Sequence, residues 1–346
     1  MWEITKKVLL WLLAIIVVGA LLWLTSFFTD WPLEFVVGGF FGIVAGIYGS
    51  VYLYKYIRRK REELELKRRA SQKEIQRMGR LDVSWKNAVA RIKQSKLKES
   101  GDPIYVLPWY LMLGNAGYGK TRAIKNSRVA IPLVEEKAQA GQEAMPSWWL
   151  LDEAIMIDTP GRYVAQREKA DTVEWQHFLS SFNKHRKWLP VNGVVVALPV
   201  DMLLNSPEQE IKSYAMEMRS RLAELIQQFG VRFPVYIMLT KADLLGGMTQ
   251  FFDPFPEAVF SQAMGALSEG GSRNEGPAAK VERIFFALAA RLKKLRLASL
   301  SRPESAETLA PTLVFPEEVA NLKAQVSQFA SQMLDPGFYT EAPVLR

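Results

Sequence analysis

The stretch that decides the fold is Gly-Asn-Ala-Gly-Tyr-Gly-Lys-Thr at residues 114–121. It fits G-x-x-x-x-G-K-[ST], the phosphate-binding loop in which glycines let backbone N–H groups turn onto phosphate oxygens. In that pattern Lys120 brings a positive charge to the β- and γ-phosphates, and the Thr121 hydroxyl can ligate Mg²⁺. An apolar run at 109–113 has the length of a strand, and 122–125 can open a helix. We therefore predict a nucleotide-binding loop made of Gly114, Asn115, Ala116, Gly117, Tyr118, Gly119, Lys120 and Thr121.

A second motif follows the apolar residues 154–157, which are typical of a strand. Asp-Thr-Pro-Gly at 158–161 fits D-x-x-G, which puts a carboxylate near Mg²⁺ and a glycine N–H near the γ-phosphate. In an open α/β sheet, ligands bind beyond the carboxyl ends of the strands, where this motif and the loop would meet. We predict that Asp158 joins Thr121 at the metal, directly or through water, and that Gly161 contacts the nucleotide.

A third motif follows the apolar run 235–239. Thr-Lys-Ala-Asp at 240–243 fits [NT]-K-x-D, the guanine-reading pattern of GTPases. The Asp243 carboxylate would accept from N1–H and the exocyclic amine of guanine, and the Lys241 stem would lie along the base. Adenine lacks that pair of donors, so an unmet polar group would penalise it. Thr240, Lys241 and Asp243 therefore favour GTP or GDP over ATP as the ligand, with Mg²⁺ as the metal.

The sequence lacks two components that accelerate hydrolysis in fast GTPases. Arg162 follows Gly161, where signalling GTPases place the glutamine that orients the attacking water, and no switch threonine is identifiable between the first two motifs. We therefore expect a slow or partner-dependent NTPase and assign no catalytic residue. The conceivable substitutes are Gln166, Arg122 and Arg128.

The N-terminus carries two uncharged runs, 8–28 and 35–54, each long enough to cross a hydrocarbon core of about 30 Å as a helix. A short acidic segment, 29–34, separates them, so we predict a transmembrane hairpin. A cleaved signal peptide is the alternative for the first run. Basic residues precede the first run and follow the second at 55–61, which places both ends in the cytoplasm by the positive-inside rule.

The net charge of +8 is concentrated in one segment. Residues 55–100 contain 16 basic and 6 acidic residues, which leaves the rest of the chain at about −2 and argues against nucleic acid as a partner. A helix is predicted over 62–98, with a break near Gly79. One apolar face of this helix should dock on the globular domain, and it comprises Leu81, Trp85, Ala88, Val89 and Ile92.

Cysteine is absent, and the only histidines are His177 and His185. The composition therefore excludes disulfides, thiolate metal sites and a cysteine nucleophile. It also leaves almost nothing from which to build a zinc site or a Ser-His-Asp triad.

From residue 104 onward, apolar strands alternate with amphipathic segments, which predicts a parallel sheet with crossover helices. The clearest strands are 109–113, 154–157, 193–198 and 235–239. Helices are expected near the C-terminus at 255–266, 278–300 and 316–334. The predicted fold is α/β, a P-loop GTPase-like parallel sheet with a helical subdomain, preceded by the two-helix transmembrane hairpin. The predicted domains are the hairpin 1–54, a basic helical linker 55–100, the P-loop NTPase domain 101–252 and the helical subdomain 253–346.

Longer stretches in a fixed order are more specific than any single motif. These stretches are the N-terminal hairpin and residues 107–110, 148–163, 191–194, 219–225, 232–236, 240–245 and 251–252. On these stretches the chain resembles the IcmF/TssM family, the inner-membrane core subunit of bacterial type VI secretion systems and of related type IV systems. Pro160 departs from the pattern, since the family often has alanine there.

The resemblance implies a scaffold in the bacterial inner membrane with a cytoplasmic nucleotide-binding domain. Its implied partners are a DotU/TssL-like inner-membrane subunit, an outer-membrane lipoprotein and the baseplate, in an oligomeric complex. The lipoprotein would be reached through a periplasmic region that follows a further membrane span in relatives. We expect this chain to be truncated relative to that family, because it stops at Arg346, short of such a span.

Three functions therefore stay open on the sequence alone. The first is a secretion scaffold whose GTPase-like domain regulates assembly, and the second is an independent membrane-anchored hydrolase of GTP or ATP. In the third, the loop is a vestigial, glycine-rich turn that binds nothing.

Overall fold

The computed structural model describes residues 19, 23, 27, 33–127, 131–133, 145–256, 259, 264–267, 275–299, 306–335, 337, 339 and 343–346. The chain divides into two compact units, Met1–Lys73 and Glu74–Arg346. All three motifs lie in the second unit.

The first unit is helical wherever it is described. Helix α1, Leu33–Gln94, contains the second apolar run, whereas most of the first run, 8–28, lies outside the described residues. Within the described part of the chain, no helix is both long and apolar enough to cross a membrane. The predicted break near Gly79 is wrong, because α1 continues through it. A glycine in a helix costs only about 1 kcal/mol, which burial of the nearby Leu81 side chain can offset.

A seven-stranded sheet forms the centre of the second unit. Its strand order is β2-β3-β4-β1-β5-β6-β7. Strands β4, β1, β5, β6 and β7 are parallel to one another, whereas β3 is antiparallel to β4 and β2 is antiparallel to β3. The strands are β1 Trp109–Leu113, β2 Ile131–Pro132, β3 Ser147–Leu150, β4 Ile155–Asp158, β5 Gly193–Pro199, β6 Pro234–Thr240 and β7 Val344–Leu345.

The four strands predicted from apolar runs are confirmed, and they are the centre of the sheet. The outer strands were not predicted, because β2 and β7 have two residues each and β3 pairs antiparallel, Ser147 opposite Asp158. The strand order reverses around β1, since β4 lies on one side of it and β5 on the other. In open α/β sheets this reversal is where ligands bind.

Helices surround the sheet and connect its strands. After α1 they are α2 Pro103–Val106, α3 Lys120–Asn126, α4 Arg162–Ala165, α5 Lys169–His185, α6 Val200–Asn205, α7 Glu208–Phe229, α8 Met248–Phe252, α9 Pro277–Ser299, α10 Ala306–Asn321 and α11 Lys323–Met333. Short 3-10 helices span Lys96–Ser100 and Ala242–Leu244.

The end of α1 packs into the core of the second unit through the predicted apolar face. Its members Leu81, Trp85, Ala88, Val89 and Ile92 are all buried. The Trp85 ring centroid lies 4.6 Å from that of Trp148 and 6.2 Å from that of Trp109, which begins β1. The second half of α1 is therefore part of the globular core.

The C-terminal helices differ in part from the prediction. Helix α9 matches the predicted 278–300, whereas most of 255–266 lies outside the described residues. The last helical segment begins at Ala306, ten residues before the predicted start at Pro316. Proline is favoured in the first turn of a helix, but α10 continues through Pro316. The preceding residue, Phe315, is fully buried, and its ring lies 4.8 Å from that of Phe251. After α11 the chain returns to the sheet as β7, beside β6.

Candidate functional site

The phosphate-binding pattern lies between β1 and α3, in the loop Gly114–Gly119. Gly117 and Gly119 have φ angles of 78° and 79°, in the left-handed region that glycine adopts without strain. Within the described part of the chain, the N–H groups of Gly117, Gly119 and Lys120 donate to no carbonyl. The loop therefore offers free backbone donors at the reversal point of the sheet.

Lys120 is buried beneath this loop. Its Nζ donates to the carbonyl oxygens of Gly114, at 2.6 Å, and Asn115, at 3.0 Å. Burial lowers the pKa of Lys120, and the negative charge of Asp158 opposes that shift. Lys120 is thus a buried cation bonded to two carbonyls. An incoming phosphate could replace these carbonyls as its partner.

Asp158 ends β4 and is buried beside α3. Its Oδ2 accepts a short hydrogen bond from the Thr121 hydroxyl, and its Oδ1 has no partner among the described residues. Burial raises the pKa of Asp158, and both the Thr121 hydrogen bond and the charge of Lys120 oppose this. A buried carboxylate oxygen without a partner, beside a hydroxyl, suits Mg²⁺, which takes oxygen ligands.

Gly161 brings the second motif into contact with the loop. A Cβ atom at this position would lie 2.0 Å from the Ala116 nitrogen and 2.6 Å from the Asn115 carbonyl carbon. Contacts that short force the backbone to move, so only glycine fits. The structure therefore places the D-x-x-G glycine directly against the phosphate-binding pattern.

The third motif contacts the same loop from β6. Thr240 Oγ1 donates to the Tyr118 carbonyl at 2.7 Å, and a Cβ on Gly119 would lie 3.3 Å from the Thr240 Cβ. The next residue, Lys241, has a φ of 54° and forms an ion pair with Asp201, 2.6 Å from Nζ to Oδ2. The loop is thus joined to the end of β6 by a hydrogen bond and by close packing.

Asp243 stands apart from these contacts. It lies on the 3-10 helix that follows β6, is exposed, and makes no hydrogen bond or ion pair with the described residues. Its carboxylate is therefore free to accept hydrogen bonds from a ligand.

Two of the residues considered for hydrolysis, Arg162 and Gln166, are hydrogen-bonded to other residues of the protein. Arg162 donates from Nε and Nη2 to the two carboxylate oxygens of Glu174, at 3.1 and 2.6 Å. Gln166 donates to the Tyr163 carbonyl at 3.3 Å and accepts from Thr172 at 3.1 Å. Of the other two candidates, Arg122 is exposed and Arg128 lies outside the described residues.

Sequence reasoning missed three carboxylates around the site. Asp201 holds Lys241, Glu174 holds Arg162, and Glu217 of α7 accepts from the Asn115 side chain at 3.3 Å. Asp201 had a detectable signal, because it follows the carboxyl end of β5. Glu174 and Glu217 lie within helices, where no local pattern separates them from surface carboxylates.

Taken together, the fold and the site define an open α/β domain whose three motifs converge at the carboxyl ends of β1, β4 and β6. A loop with free backbone donors, a buried lysine and a buried carboxylate occupy one end of this site. An exposed carboxylate stands at the other end.

Comparisons with known proteins identify the family. The family model of the IcmF-related N-terminal domain matches residues 168–346. The type VI secretion system component TssM1 of Pseudomonas aeruginosa is 36% identical over 273 residues, which cover 75% of this chain and 24% of TssM1. No solved structure matches the chain. The chain belongs to the IcmF/TssM family, and it spans about a quarter of the length of that relative.

Proposed function

We propose that this chain is a type VI secretion component whose α/β domain binds a guanine nucleotide with Mg²⁺ and uses the bound state to regulate assembly. The observation that carries the proposal is the convergence of three separate motifs on one loop. Gly161 packs against Ala116, Thr240 bonds to Tyr118, and Thr121 bonds to Asp158. A vestigial glycine-rich turn would not require these three contacts.

Phosphate recognition is assigned to the loop backbone and Lys120. The free N–H groups supply directed donors, and the ammonium supplies charge from a buried position where water screens it little. When phosphate binds, Nζ exchanges its two carbonyl contacts for phosphate oxygens. The phosphate oxygens carry negative charge whereas the carbonyl oxygens are neutral, so the attraction between opposite charges favours the exchange.

Magnesium would be held by Thr121 and Asp158 together with the nucleotide. The unpartnered Oδ1 of Asp158 supports this, because Mg²⁺ commonly uses one or two protein oxygens and takes its other ligands from phosphates and water. When bound, the ion supplies positive charge that neutralises the phosphate oxygens.

Base recognition is assigned to Lys241 and Asp243. The exposed carboxylate of Asp243 is free to accept from the two donors of guanine, a pair that adenine lacks. Asp201 fixes the end of the Lys241 side chain, which leaves its aliphatic stem to lie along the base. We therefore propose GTP or GDP in preference to ATP.

Slow hydrolysis follows from how Arg162 and Gln166 are held. Both are bonded within the second motif and its neighbouring helices, so neither is available to orient water without a rearrangement. We propose that the nucleotide acts as a regulatory ligand and that turnover, where it occurs, depends on a partner.

The similarity to TssM1 supports a wider setting for this domain. We propose that the apolar runs 8–28 and 35–54 form a hairpin in the bacterial inner membrane, with the α/β domain in the cytoplasm. There the chain would serve as a scaffold for a DotU/TssL-like subunit, the baseplate and an outer-membrane lipoprotein.

Nucleotide titration of the full chain in detergent or lipid nanodiscs tests the binding proposal. Fluorescent analogues of GTP, GDP and ATP are compared with and without Mg²⁺, for the wild type, Lys120→Ala and Lys125→Ala. We expect guanine nucleotides to bind more tightly with Mg²⁺, and only Lys120→Ala to lose binding, because Lys125 is an exposed lysine on the same helix α3. Equal and negligible binding of all three nucleotides to the wild type would support a vestigial loop instead.

A complementation experiment separates a scaffold from an independent hydrolase. Lys120→Ala is introduced into a strain that lacks the wild-type gene, and secretion is measured together with recovery of the membrane complex. A scaffold should still assemble and keep part of its secretion, whereas an enzyme whose product is the output should lose function fully. Recovery of the wild type as a lone monomer from native membranes would contradict the scaffold.

A further inference from the structure

A buried carboxylate lies directly behind Gly161. Glu174, on α5, is 1% exposed and accepts three hydrogen bonds from the two residues that follow Gly161. Arg162 donates two of them, and the Tyr163 hydroxyl donates the third at 2.8 Å. The two residues that follow Gly161, Arg162 and Tyr163, are therefore both anchored to Glu174 through their side chains.

The same carboxylate faces helix α1 on its other side. Nη1 of Arg77, a residue of α1, lies 3.9 Å from Glu174 Oε2 and 3.2 Å from Asp171 Oδ1. The side chains of Arg77 and Asp171 are each 7% exposed. Arg77 also lies 3.9 Å from the exposed carboxylate of Glu168. A largely buried network of charged groups thus runs from α1 to the residue after Gly161.

A buried charge network of this kind constrains position strongly. Removing or displacing one partner leaves buried charge less well compensated, which is costly. Gly161 packs closely against the loop, since a Cβ there would lie 2.0 Å from the Ala116 nitrogen. The place where Gly161 stands is consequently set from both sides, by the loop in front and by Glu174 behind.

We propose that Glu174 is a positioning residue that holds Gly161 where its N–H meets a γ-phosphate, and that Arg77 lets α1 control this position. The inference rests on the proposed nucleotide function and names a regulator of the same site. Helix α1 contains both the apolar segment 35–54 and Arg77. A displacement of this helix would therefore reach the phosphate through Arg77 and Glu174. By thermodynamic linkage, the bound nucleotide would act on α1 equally.

The discriminating quantity is the ratio of the affinities for a non-hydrolysable GTP analogue and for GDP. Only the analogue has a γ-phosphate, so only its affinity depends on the place of Gly161. Damage to the fold or to the loop would lower both affinities together and leave the ratio unchanged.

The experiment compares Glu174→Gln, Arg77→Met and Asp82→Asn in the full chain in nanodiscs. Asp82→Asn is the matched control, because Asp82 also links α1 to α5, through His177 at 3.0 Å, but lies outside the Glu174 network. We expect the ratio to fall about tenfold in Glu174→Gln and about threefold in Arg77→Met, with GDP affinity and the Asp82→Asn ratio unchanged. Arg77→Lys keeps the charge and should restore most of the ratio.

Arg77→Met leaves the Arg162–Glu174 pair intact, so it tests the inference even where Glu174→Gln fails to fold. An unchanged ratio in Arg77→Met would overturn the control by α1, and equal losses for both nucleotides in Glu174→Gln would reduce Glu174 to a structural residue. A wild type that binds neither nucleotide would overturn the proposed function first and this inference with it.

Hydrogen exchange gives a second readout of the same coupling. In the wild type, the GTP analogue should protect amides within residues 74–94 more than GDP does, and this difference should vanish in Arg77→Met. Equal protection by both nucleotides in the wild type would contradict the coupling while leaving nucleotide binding intact.

Discussion

Two lysines of the candidate site, Lys120 and Lys241, stand in opposite surroundings. Lys120 is 7% exposed and bonds to two backbone carbonyls of its own loop. The Lys241 side chain is 32% exposed, and its partner Asp201 is a side chain that water also reaches. In the proposed site, the end assigned to phosphate (the phosphate end) is therefore built from backbone and buried charge, whereas the end assigned to the base (the base end) is built from partly exposed side chains.

This difference predicts unequal sensitivity to mutation. Interactions in a buried, low-dielectric setting are strong and difficult to replace, whereas exposed pairs are weakened by water and salt. Phosphate binding should therefore be strict and base preference more easily altered. The following variants test this contrast, beginning with the largest expected effect.

Gly161→Ala should damage the phosphate end most. The added methyl would lie 2.0 Å from the Ala116 nitrogen, so the loop must move away from the second motif. We expect affinity for a GTP analogue to fall by about ten- to 100-fold, the range that overpacking costs imply. Titration against Gly246→Ala provides the control, since a Cβ there meets only Glu318 at 3.9 Å. Wild-type affinity in Gly161→Ala would show that the close contact is not needed for binding.

Asp243→Asn should change which base is bound and spare the phosphate. An amide cannot accept both guanine donors, so we expect the preference for GTP over ATP to fall about tenfold. XTP, which has an oxygen in place of the amine, should gain relative to GTP. Competition by tripolyphosphate should stay unchanged, and Asp253→Asn, another exposed carboxylate, should behave like the wild type. A parallel loss of tripolyphosphate binding would mean that the two ends of the site are not separable.

Asp201→Asn should have a smaller effect at the base end. The Lys241–Asp201 pair is about one third exposed, and pairs of that kind contribute about 0.2–1 kcal/mol. We expect a two- to fivefold loss of GTP affinity, roughly what that energy implies, and the loss should shrink at high salt. Isothermal titration at two salt concentrations measures both. A loss as large as that of Gly161→Ala would place Asp201 at the strict end of the site.

Asp158→Asn should separate stability from ligand binding, and its effect on the unfolding temperature is the smallest shift expected here. Burial raises the pKa of Asp158, so the folded protein favours the protonated carboxyl more than the unfolded chain does. That contribution is fully present below the ordinary pKa of aspartate and is lost as pH rises through the raised value. At neutral pH the neutral asparagine should therefore raise the unfolding temperature slightly, while Mg²⁺-dependent binding is lost. Thermal unfolding at pH 7 and at lower pH checks the sign, because the gain should shrink as pH falls.

The strands and the loop between them were easier to predict from the sequence than the network that packs behind Gly161. The loop, Asp158 and the central strands are local patterns, in which the residues that act together lie close in the chain or follow apolar runs. The Arg77–Asp171 hydrogen bond joins residues 94 positions apart, and the Trp109 N–H bonds to Asn192, 83 positions away. Such contacts depend on how helices pack across the sheet, which no periodicity records.

The third motif named the residues assigned to base recognition, but not the residues that surround them. The pattern 240–243 follows an apolar run that is indeed strand β6, and its Thr240 contacts the loop, yet the pattern gave no sign that Asp201 would hold Lys241. The antiparallel β3 was missed for a related reason. Two tryptophans at 148 and 149 are equally compatible with a strand and with a buried loop, and only pairing with β4 decides between them.

The cluster of Trp85, Trp109 and Trp148 has a practical consequence for following this molecule. Their ring centroids lie 4.6 to 6.2 Å apart, and all three side chains are buried. Indoles held this closely in a rigid, asymmetric arrangement give near-ultraviolet circular dichroism that disappears when specific packing is lost. One of the three belongs to α1 and the other two to strands of the sheet. The protein thus carries an unlabelled optical reporter of whether α1 is seated, which can be read in nanodiscs during a nucleotide titration.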